Sequence, residues 1–390
     1  METPEEKMFR VLEHWKPEKK ILSPEALVSS SECLFPLFLH VYLITRDLYQ
    51  TMPLRKNGES SFIHPLNVVV LLRKAKVDDV LTLCAGMLHD YVEEKVDLYR
   101  EAHQKTSPLD IASLDAYEEV VFQELQQNLK TCCLKHDFEQ QSALTIIKTL
   151  HLLTRHKREF YYASIANIYL CDDPEIKEKA IIVKLADRIH NILCIDNFTE
   201  QERIYQCFKN LFILNNTKQY LQGKFGVYNR IELKPFPPIE KLFNKCCKAT
   251  YDAFLTICSH CSRKGIGDIV SMLQLAFRKY QFCYKGISEV TVLNPLETHP
   301  LRLFQGVVLK YDARLHREQE KFLSLQKNEI EYCTSFFGSC QFRPDLIQSI
   351  VDYKDAYSLK EVVASLLYDP VYIMGGFLVS DLSHDGRIKR

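Results

Sequence analysis

Residues 81–94 read LTLCAGMLHDYVEE, an apolar run that leads directly into a His-Asp pair and two glutamates. Apolar side chains recur at intervals of three and four residues between Leu81 and Val92, and this period predicts a helix. The segment from Leu37 to Tyr49 has the same pattern, and glycine is scarce before position 222. We therefore expect a mainly α fold whose first domain is entirely helical.

The polar residues at the end of this run lie at helical spacing. Residues four apart share a face of a helix, so His89 is expected one turn from Glu93, and Asp90 one turn from Glu94. Each piece alone is commonplace, because His-Asp dipeptides occur by chance and paired glutamates usually form a solvated face. Beside a metal ion, however, either glutamate would be in reach to orient water or transfer a proton.

A second segment, KLADRIHN at residues 184–191, places Asp187 and Asn191 on one helical face. Imidazole and carboxylate ligands without a thiolate suit a divalent first-row metal. Such an ion lowers the pKa of its water and stabilises the charge that develops in phosphate-ester hydrolysis. The candidate metal ligands are His64, His89, Asp90 and Asp187.

Composition restricts the class of protein. The 390 residues, 46% of them hydrophobic, are enough for one large or two moderate domains. Lysine plus arginine equals aspartate plus glutamate at 50 each, which removes a general electrostatic case for binding nucleic acid or a membrane surface. The charged N-terminus does not resemble a secretory signal, and no apolar stretch is long and uninterrupted enough to span a membrane, so we expect a cytoplasmic protein.

Fourteen cysteines in a chain of this length are expected to be reduced and mostly buried. The exception to weigh is the C-x-x-C segment at residues 258–261, which is preceded by the adjacent pair Cys246 and Cys247. Cys247 and Cys258 recur on one face of what the pattern predicts to be a single amphipathic helix. We therefore interpret them as core residues, and not as zinc ligands.

Taken together, these motifs resemble the HD-domain superfamily and, within it, the RelA/SpoT-type alarmone hydrolases. The resemblance covers roughly residues 30 to 220. The matching segments are RKNGE at 55–59, FIHPL at 62–66, residues 83–94, Leu153-Thr154 and KLADRIHN at 184–191.

The resemblance implies an HD-domain helical bundle that hydrolyses the 3′-pyrophosphate of guanosine tetra- or pentaphosphate to GDP or GTP and pyrophosphate, usually with manganese. It implies that the metal ligands are His64, His89, Asp90 and Asp187, and that the catalytic acidic pair is Glu93 and Glu94. It also implies that the nucleotide contacts Arg55, Lys56 and Asn191.

The chain departs from the family pattern in several places. Glu94 stands where the family usually has aspartate, Asn57 where it usually has serine, and Ser60-Ser61 where Pro-Tyr is common. Asp90 and Asp187 are 97 positions apart, which is long for a compact hydrolase. The surplus falls in residues 96–141, which we expect to form an added helix pair, a lid over the site or an inert surface insertion.

Glycines and prolines between residues 223 and 238 predict a linker. A helix is expected from Ile239 towards Arg263, followed by strands at 289–293 and 303–310 and a helical segment at 314–332. The expected organisation is an N-terminal helical extension (1–29), an HD-type phosphohydrolase domain (30–222), the linker (223–238), and a smaller helical or α+β C-terminal domain of unknown function (239–390).

Three hypotheses remain open from sequence. The first is the guanosine 3′-pyrophosphate hydrolase. The second keeps the metal site but acts on another nucleotide, such as a nucleoside phosphate or an NADPH-like 2′-phosphate. The third is a catalytically weak nucleotide sensor whose C-terminal domain binds a protein partner or a second copy of the chain. Alarmone synthesis is not expected, because the synthetase motifs of bifunctional family members are absent after residue 239.

Overall fold

The computed structural model describes residues 15–55, 58–103, 110–156, 161–198, 200–226, 236–263, 327, 330–331, 333–335, 337–374 and 378–382. Within these ranges the regular structure is helical and contains no β-strand, which confirms the expected mainly α class. The helices are α1 (Pro24–Leu27), α2 (Phe35–Gln50), α3 (Ile63–Lys74), α4 (Val80–Leu88), α5 (Tyr91–His103), α6 (Ile111–Lys135), α7 (Gln140–Leu153), α8 (Tyr161–Leu170), α9 (Pro174–Leu193), α10 (Glu200–Phe225), α11 (Pro238–Arg263) and α12 (Pro344–Tyr368).

Helix α9 lies at the centre of the bundle. It packs against α3, α4, α7, α8, α10 and α11. The helix starts at a well-formed cap, in which the Asp173 carboxylate accepts hydrogen bonds from the amides of Glu175 and Ile176, ahead of Pro174 at the first helical position. Its side chains are buried for most of its length, including those of Asp187, Arg188 and His190. A central helix that buries charged residues needs partners for them from its neighbours.

The structure divides the helix predicted at Leu81 to Val92 into α4 and α5. Asp79 caps α4 and accepts from the amides of Leu81 and Thr82. At the other end, the side-chain Nδ1 of His89 lies 2.9 Å from the carbonyl oxygen of Gly86 and replaces a backbone partner there. The His-Asp pair therefore lies at the joint between the two helices, where both side chains can turn towards α3 and α9.

Helices α3 and α4 approach closely at Gly86. A Cβ atom built on this glycine would lie 2.7 Å from Cδ1 of Leu72 and 3.6 Å from Cγ1 of Val68, both of which are buried in α3. His64 lies in the first turn of α3, and His89 directly follows α4. Gly86 therefore sets the separation of the two helices that position these histidines.

Residues 96–141, which lie between the motifs at Asp90 and Asp187, include helix α6 and the start of α7. Helix α6 packs against α5 and α7. In the contact with α5, the ring of Tyr99 from α5 stacks on that of Tyr117 from α6, with centroids 3.9 Å apart. Residues 96–141 therefore hold the end of α5, the whole of α6 and the start of α7, with residues 104–109 outside the described part of the chain. Their interpretation as an added helix pair, a lid or an inert insertion stays a prediction.

Helices α11 and α12 pack together, and both contact the rest of the bundle. Helix α11 lies against α9 and α10, and α12 lies against α10 and α11. The expected helix from Ile239 to Arg263 is confirmed, and Cys247 and Cys258 are buried in it as core residues. The strands predicted at 289–293 and 303–310, and nearly all of the segment at 314–332, lie outside the described residues.

None of the described helices combines the length and the apolar character needed to cross a membrane. The cysteines with free thiols include Cys33, Cys84, Cys132, Cys133, Cys171, Cys194, Cys207 and Cys246. The boundaries predicted at residues 29, 222 and 238 remain predictions.

Candidate metal centre

Three side chains from two parts of the chain present their ligand atoms to one point. The Nε2 atoms of His64 and His89 are 3.1 Å apart, and Oδ2 of Asp90 lies 3.3 Å from the first and 3.1 Å from the second. Within the described residues, these three form a group whose ligand atoms all lie within 4.8 Å of one another and that could hold a metal ion.

Asp187 borders this group from the central helix. Its Oδ1 atom lies 3.5 Å from His64 Nε2 and 4.0 Å from His89 Nε2. The other carboxylate oxygen, Oδ2, pairs with Lys184 at 3.0 Å, and Asn191 Nδ2 donates to Oδ1 at 2.6 Å. Helical spacing predicted that Asn191 lies beside Asp187, and the structure contains this contact together with the ion pair to Lys184.

Each imidazole is oriented by a contact at its other nitrogen. His89 Nδ1 faces the carbonyl oxygen of Gly86, which accepts only, so this nitrogen carries the proton and donates. The lone pair of the neutral ring is then on Nε2, which faces the other ligand atoms. His64 Nδ1 lies 2.8 Å from Nδ1 of His190, while its Nε2 faces Asp90. This arrangement is the one that metal-binding histidines usually have.

His190 was not singled out from sequence, although it lies inside the KLADRIHN segment. It is buried on α9. Burial lowers the pKa of His190 well below its usual value, and the charges of His64 and Arg55 lower it further. A neutral His190 can accept the proton that His64 donates from Nδ1, and its own proton is then on Nε2, 3.7 Å from Cys194 Sγ.

The ionisable groups of the centre depend strongly on each other. Burial alone would lower the pKa of His89, but Asp90 and then Asp187 outweigh it and raise the pKa to about 9. Burial likewise opposes ionisation of Asp90, but His89 and the contact with His64 hold the pKa of this carboxyl below its usual range. The site thus favours a positive charge next to two carboxylates. Two imidazole nitrogens and ionised carboxylates are a donor set that fits a divalent cation.

Glu93 lies on the first turn of α5, near the group. Its Oε1 accepts a hydrogen bond of 2.7 Å from the backbone amide of Arg155, which follows α7. Burial and the charge of Asp90 raise the pKa of Glu93, while Arg155 and Lys184 oppose the rise. The backbone amide of Glu94 donates to the carbonyl of Asp90 at 2.9 Å, so this residue begins the helical hydrogen bonding of α5.

Arg55 belongs to a tight loop before α3. Its amide donates to the carbonyl of Glu59 at 2.9 Å, and the amide of Gly58 donates to the carbonyl of Arg55 at 2.8 Å. Gly58 has a φ of 80°, which glycine adopts without strain. The charge of Arg55 acts on His190, so the loop lies on the same side of the bundle as the metal centre. Lys56 and Asn57 lie outside the described residues.

Comparison with curated proteins finds similarity to proteins named probable guanosine-3′,5′-bis(diphosphate) 3′-pyrophosphohydrolase. One from Mycoplasma genitalium is 30% identical over 142 residues, and one from Mycoplasma pneumoniae is 31% identical over 142 residues. A third, from Synechocystis, is 28% identical over 160 residues. The first two alignments cover 36% of this chain and the third 40%.

The aligned segments span 16% of the length of the Mycoplasma proteins and 17% of the Synechocystis protein. No family model matches the chain, and no solved structure matches it. The similarity therefore supports a relationship to these hydrolases over little more than a third of the chain.

Proposed function

We propose that the chain is a metal-dependent phosphohydrolase that removes the 3′-pyrophosphate of guanosine tetra- or pentaphosphate, giving GDP or GTP and pyrophosphate. The observation that carries the proposal is the convergence of His64 Nε2, His89 Nε2 and Asp90 Oδ2 at 3.1–3.3 Å, with Asp187 beside them. The names of the relatives from Mycoplasma and Synechocystis support the choice of substrate.

In this proposal a divalent ion, with manganese as the expected metal, is held by His64, His89, Asp90 and Asp187. When bound, it supplies positive charge to the phosphoryl group under attack and lowers the pKa of water. The protein orients the side chains of the proposed metal ligands without a bound ion. Gly86 orients His89, His190 orients His64, and Asn191 donates to one oxygen of Asp187.

Glu93 and Glu94 are the proposed catalytic pair. The raised pKa of Glu93 makes its carboxylate a better proton acceptor near neutral pH, and the amide of Arg155 holds that carboxylate in one place. In the reaction, water adds to phosphorus and the bond from phosphorus to the 3′ oxygen of the ribose breaks. One proton leaves the water, and one is delivered to the 3′ oxygen.

Arg55, Lys56 and Asn191 are proposed to bind the nucleotide. Two cations next to the centre would suit a multiply phosphorylated ligand. Asn191 already donates from Nδ2 to Asp187, so its carbonyl oxygen Oδ1 is the atom proposed to face the base.

Two alternatives use the same site. A phosphohydrolase for another nucleotide needs the same metal ligands but not guanine. A catalytically weak sensor would bind nucleotide without turnover, and the glutamate at position 94, with its extra methylene, is the feature that favours it.

The test is to incubate the purified chain with Mn²⁺ and a panel of nucleotides that includes guanosine tetraphosphate and NADPH, and to separate the products by chromatography. We expect pyrophosphate from guanosine tetraphosphate, with loss of activity to below detection in Asp90→Ala. Asp78→Ala is the matched control, since Asp78 is exposed and pairs with Arg73 away from the centre. Turnover of other nucleotides only would support the second hypothesis, and tight binding without turnover would support the sensor.

A further inference from the structure

The segment that follows α7 supplies the backbone amide that holds Glu93. Helix α7 ends at Thr154, whose amide donates to the carbonyl of Leu150 at 2.8 Å and whose backbone is extended, with φ −70° and ψ 126°. The next amide, that of Arg155, is therefore outside the helical hydrogen bonds, and it donates to Oε1 of Glu93 at 2.7 Å. The position of a backbone amide is set by the chain on both sides of it.

On the far side of this amide, the chain is attached to helix α6. Nδ1 of His156 lies within hydrogen-bond distance of Oε1 of Glu118. An ionised carboxylate only accepts, so Nδ1 of His156 donates. The amide of Arg155 thus lies between two attachments, the end of α7 at Thr154 and the bond from His156 to α6.

Glu118 is buried, which is unusual for a glutamate in a helix. The residue is 3% exposed, whereas its neighbour Glu119 is exposed. The second oxygen of Glu118, Oε2, is buried and has no hydrogen-bond partner among the described residues. A buried carboxylate is costly without a donor, and His156 provides one at Oε1. Burial of Glu118 therefore favours the conformation in which His156 stays attached to α6.

Helix α6 also contacts the two helices that lead to the Glu93 carboxylate and to the amide that holds it. Tyr117 stacks on Tyr99 of α5, with centroids 3.9 Å apart and an interplanar angle of 12°. Phe122 stacks on His151 of α7, with centroids 3.8 Å apart. Helix α5 carries Glu93, and α7 leads into the segment with the amide. These contacts of α6 therefore set the position of α5 relative to the segment after α7.

We propose that Glu118 is a positioning residue for the site: through His156 it fixes the amide of Arg155, and this amide fixes the carboxylate of Glu93. The inference rests on the proposed function for the role of Glu93 as proton acceptor. A proton acceptor works only within hydrogen-bond distance of its proton, and a displacement of about 1 Å can cost a large factor in rate. Since none of the proposed metal ligands takes part in these contacts, metal affinity is expected to be independent of Glu118.

The first test compares kcat and KM for hydrolysis of guanosine tetraphosphate with Mn²⁺ in two variants at one position. Glu118→Met keeps a side chain of similar length but removes the acceptor, whereas Glu118→Gln keeps a carbonyl oxygen to which His156 can donate. We expect Glu118→Met to lower kcat by about 10- to 100-fold with KM unchanged, and Glu118→Gln to recover most of that loss. The matched control is Glu119→Met, at the exposed neighbour, which should keep the kcat of the parent.

Replacing the other partner gives an independent set of variants. His156→Phe removes the donor, and it should lower kcat as Glu118→Met does, with no further loss when the two changes are combined. His156→Asn keeps a donor close to the position of Nδ1 and should recover part of the activity. Circular dichroism melts verify that each variant is folded, and calorimetric titration with Mn²⁺ should give the parent's affinity in all of them.

The second test needs no turnover. Hydrogen exchange followed by mass spectrometry measures the protection of the backbone amides in the segment that contains Arg155, and an amide that loses its fixed acceptor exchanges faster. We expect several-fold faster exchange of this segment in Glu118→Met and in Glu93→Ala, and no further increase when the two are combined, because both act on one hydrogen bond. Exchange in Glu119→Met should equal that of the parent.

The two tests separate this inference from the proposed function. If the parent hydrolyses no nucleotide but exchange responds to Glu118→Met as expected, the function is refuted and the positioning of Glu93 is retained. Hydrolysis of guanosine tetraphosphate with the parent's kcat in Glu118→Met does the reverse. Slow, parent-like exchange in Glu118→Met, weakened Mn²⁺ binding, or a loss that falls on KM would each overturn the positioning role.

Discussion

The proton on His64 decides which of its nitrogens is available as a ligand. Nδ1 of His64 lies 2.8 Å from Nδ1 of His190, so one ring donates and the other accepts. His190 is buried, and its lowered pKa keeps it neutral. With the proton of His190 directed towards Cys194, the ring accepts at Nδ1 and fixes the His64 lone pair on Nε2. His190 is thus a positioning residue that need not touch the metal.

Replacing His190 by phenylalanine keeps an aromatic ring of similar size but removes the acceptor. We expect His190→Phe to weaken Mn²⁺ binding by about 10- to 100-fold, as removal of such partners does at other metal sites. Calorimetric titration with the metal alone measures the effect. His190→Gln, which restores a carbonyl acceptor, should recover part of the affinity, and His151→Phe, at an exposed histidine stacked on Phe122, should leave it unchanged. Equal affinity in His190→Phe would contradict the positioning role.

The sequence predicts those contacts of the site in which both residues are close in the chain. The contacts of Asp187 with Lys184 and Asn191 follow from helical spacing alone. The role of His190 depends on its contact with His64, which is 126 positions away in the chain. That of Arg155 depends on its contact with Glu93, which is 62 positions away. The periodicity of the sequence does not predict contacts between residues so far apart. A buried histidine in a helix is usually a core residue, and nothing in the sequence distinguishes His190 from such a residue.

At the scale of helices, the separation of α3 and α4 determines how far apart the two ligand histidines lie. Gly86 permits this separation, because a side chain there would meet Leu72 and Val68 of α3. The carbonyl of the same glycine orients His89, so the residue acts on the site in two ways. Glycine inside a helix costs stability relative to alanine, and close packing is the physical reason to retain it here.

We expect Gly86→Val to destabilise the fold by about 1–3 kcal/mol, because overpacking of a filled core forces neighbours to move. It should also weaken Mn²⁺ binding, since His64 and His89 would be pushed apart. Urea unfolding and calorimetric titration measure the two effects. The control is Gly223→Ala in α10, where a Cβ atom meets nothing within 4 Å. There the change should stabilise the fold by up to about 1 kcal/mol. A Gly86→Val protein as stable as the parent would show that Gly86 does not set the separation of α3 and α4.

The helices themselves were largely predictable, and the break at His89 was not. Apolar periodicity continues from Leu81 through Val92 without a proline, and Gly86 lies inside α4 and does not end it. The break arises because a polar side chain, that of His89, takes the carbonyl of Gly86. Such competition for a backbone acceptor becomes visible only when the neighbouring helices hold the ring in place.

At the scale of the whole molecule, the described C-terminal helices join the core of the bundle. Ile239, Leu242 and Phe243 of α11 are fully buried. Asn215 of α10 donates to the carbonyl of Met374 at 2.9 Å and accepts from the amide of the same residue at 2.8 Å, so the segment after α12 is tied to α10. The proline-rich stretch that predicts a linker connects two helices, α10 and α11, that pack against each other.

The single tryptophan provides a test of whether this packing makes one folding unit. Trp15 is 6% exposed, and Lys245 Nζ of α11 lies 4.9 Å from the centroid of its ring, so its fluorescence reports on the contact between the N-terminal part and α11. We expect urea transitions followed by Trp15 fluorescence and by far-ultraviolet circular dichroism to coincide. Asn215→Ala should lower both midpoints together and reduce the free energy of unfolding by about 1–3 kcal/mol, because it leaves two buried backbone groups without a partner. An independent domain beyond residue 238 would instead give two transitions, of which Asn215→Ala would move one more than the other.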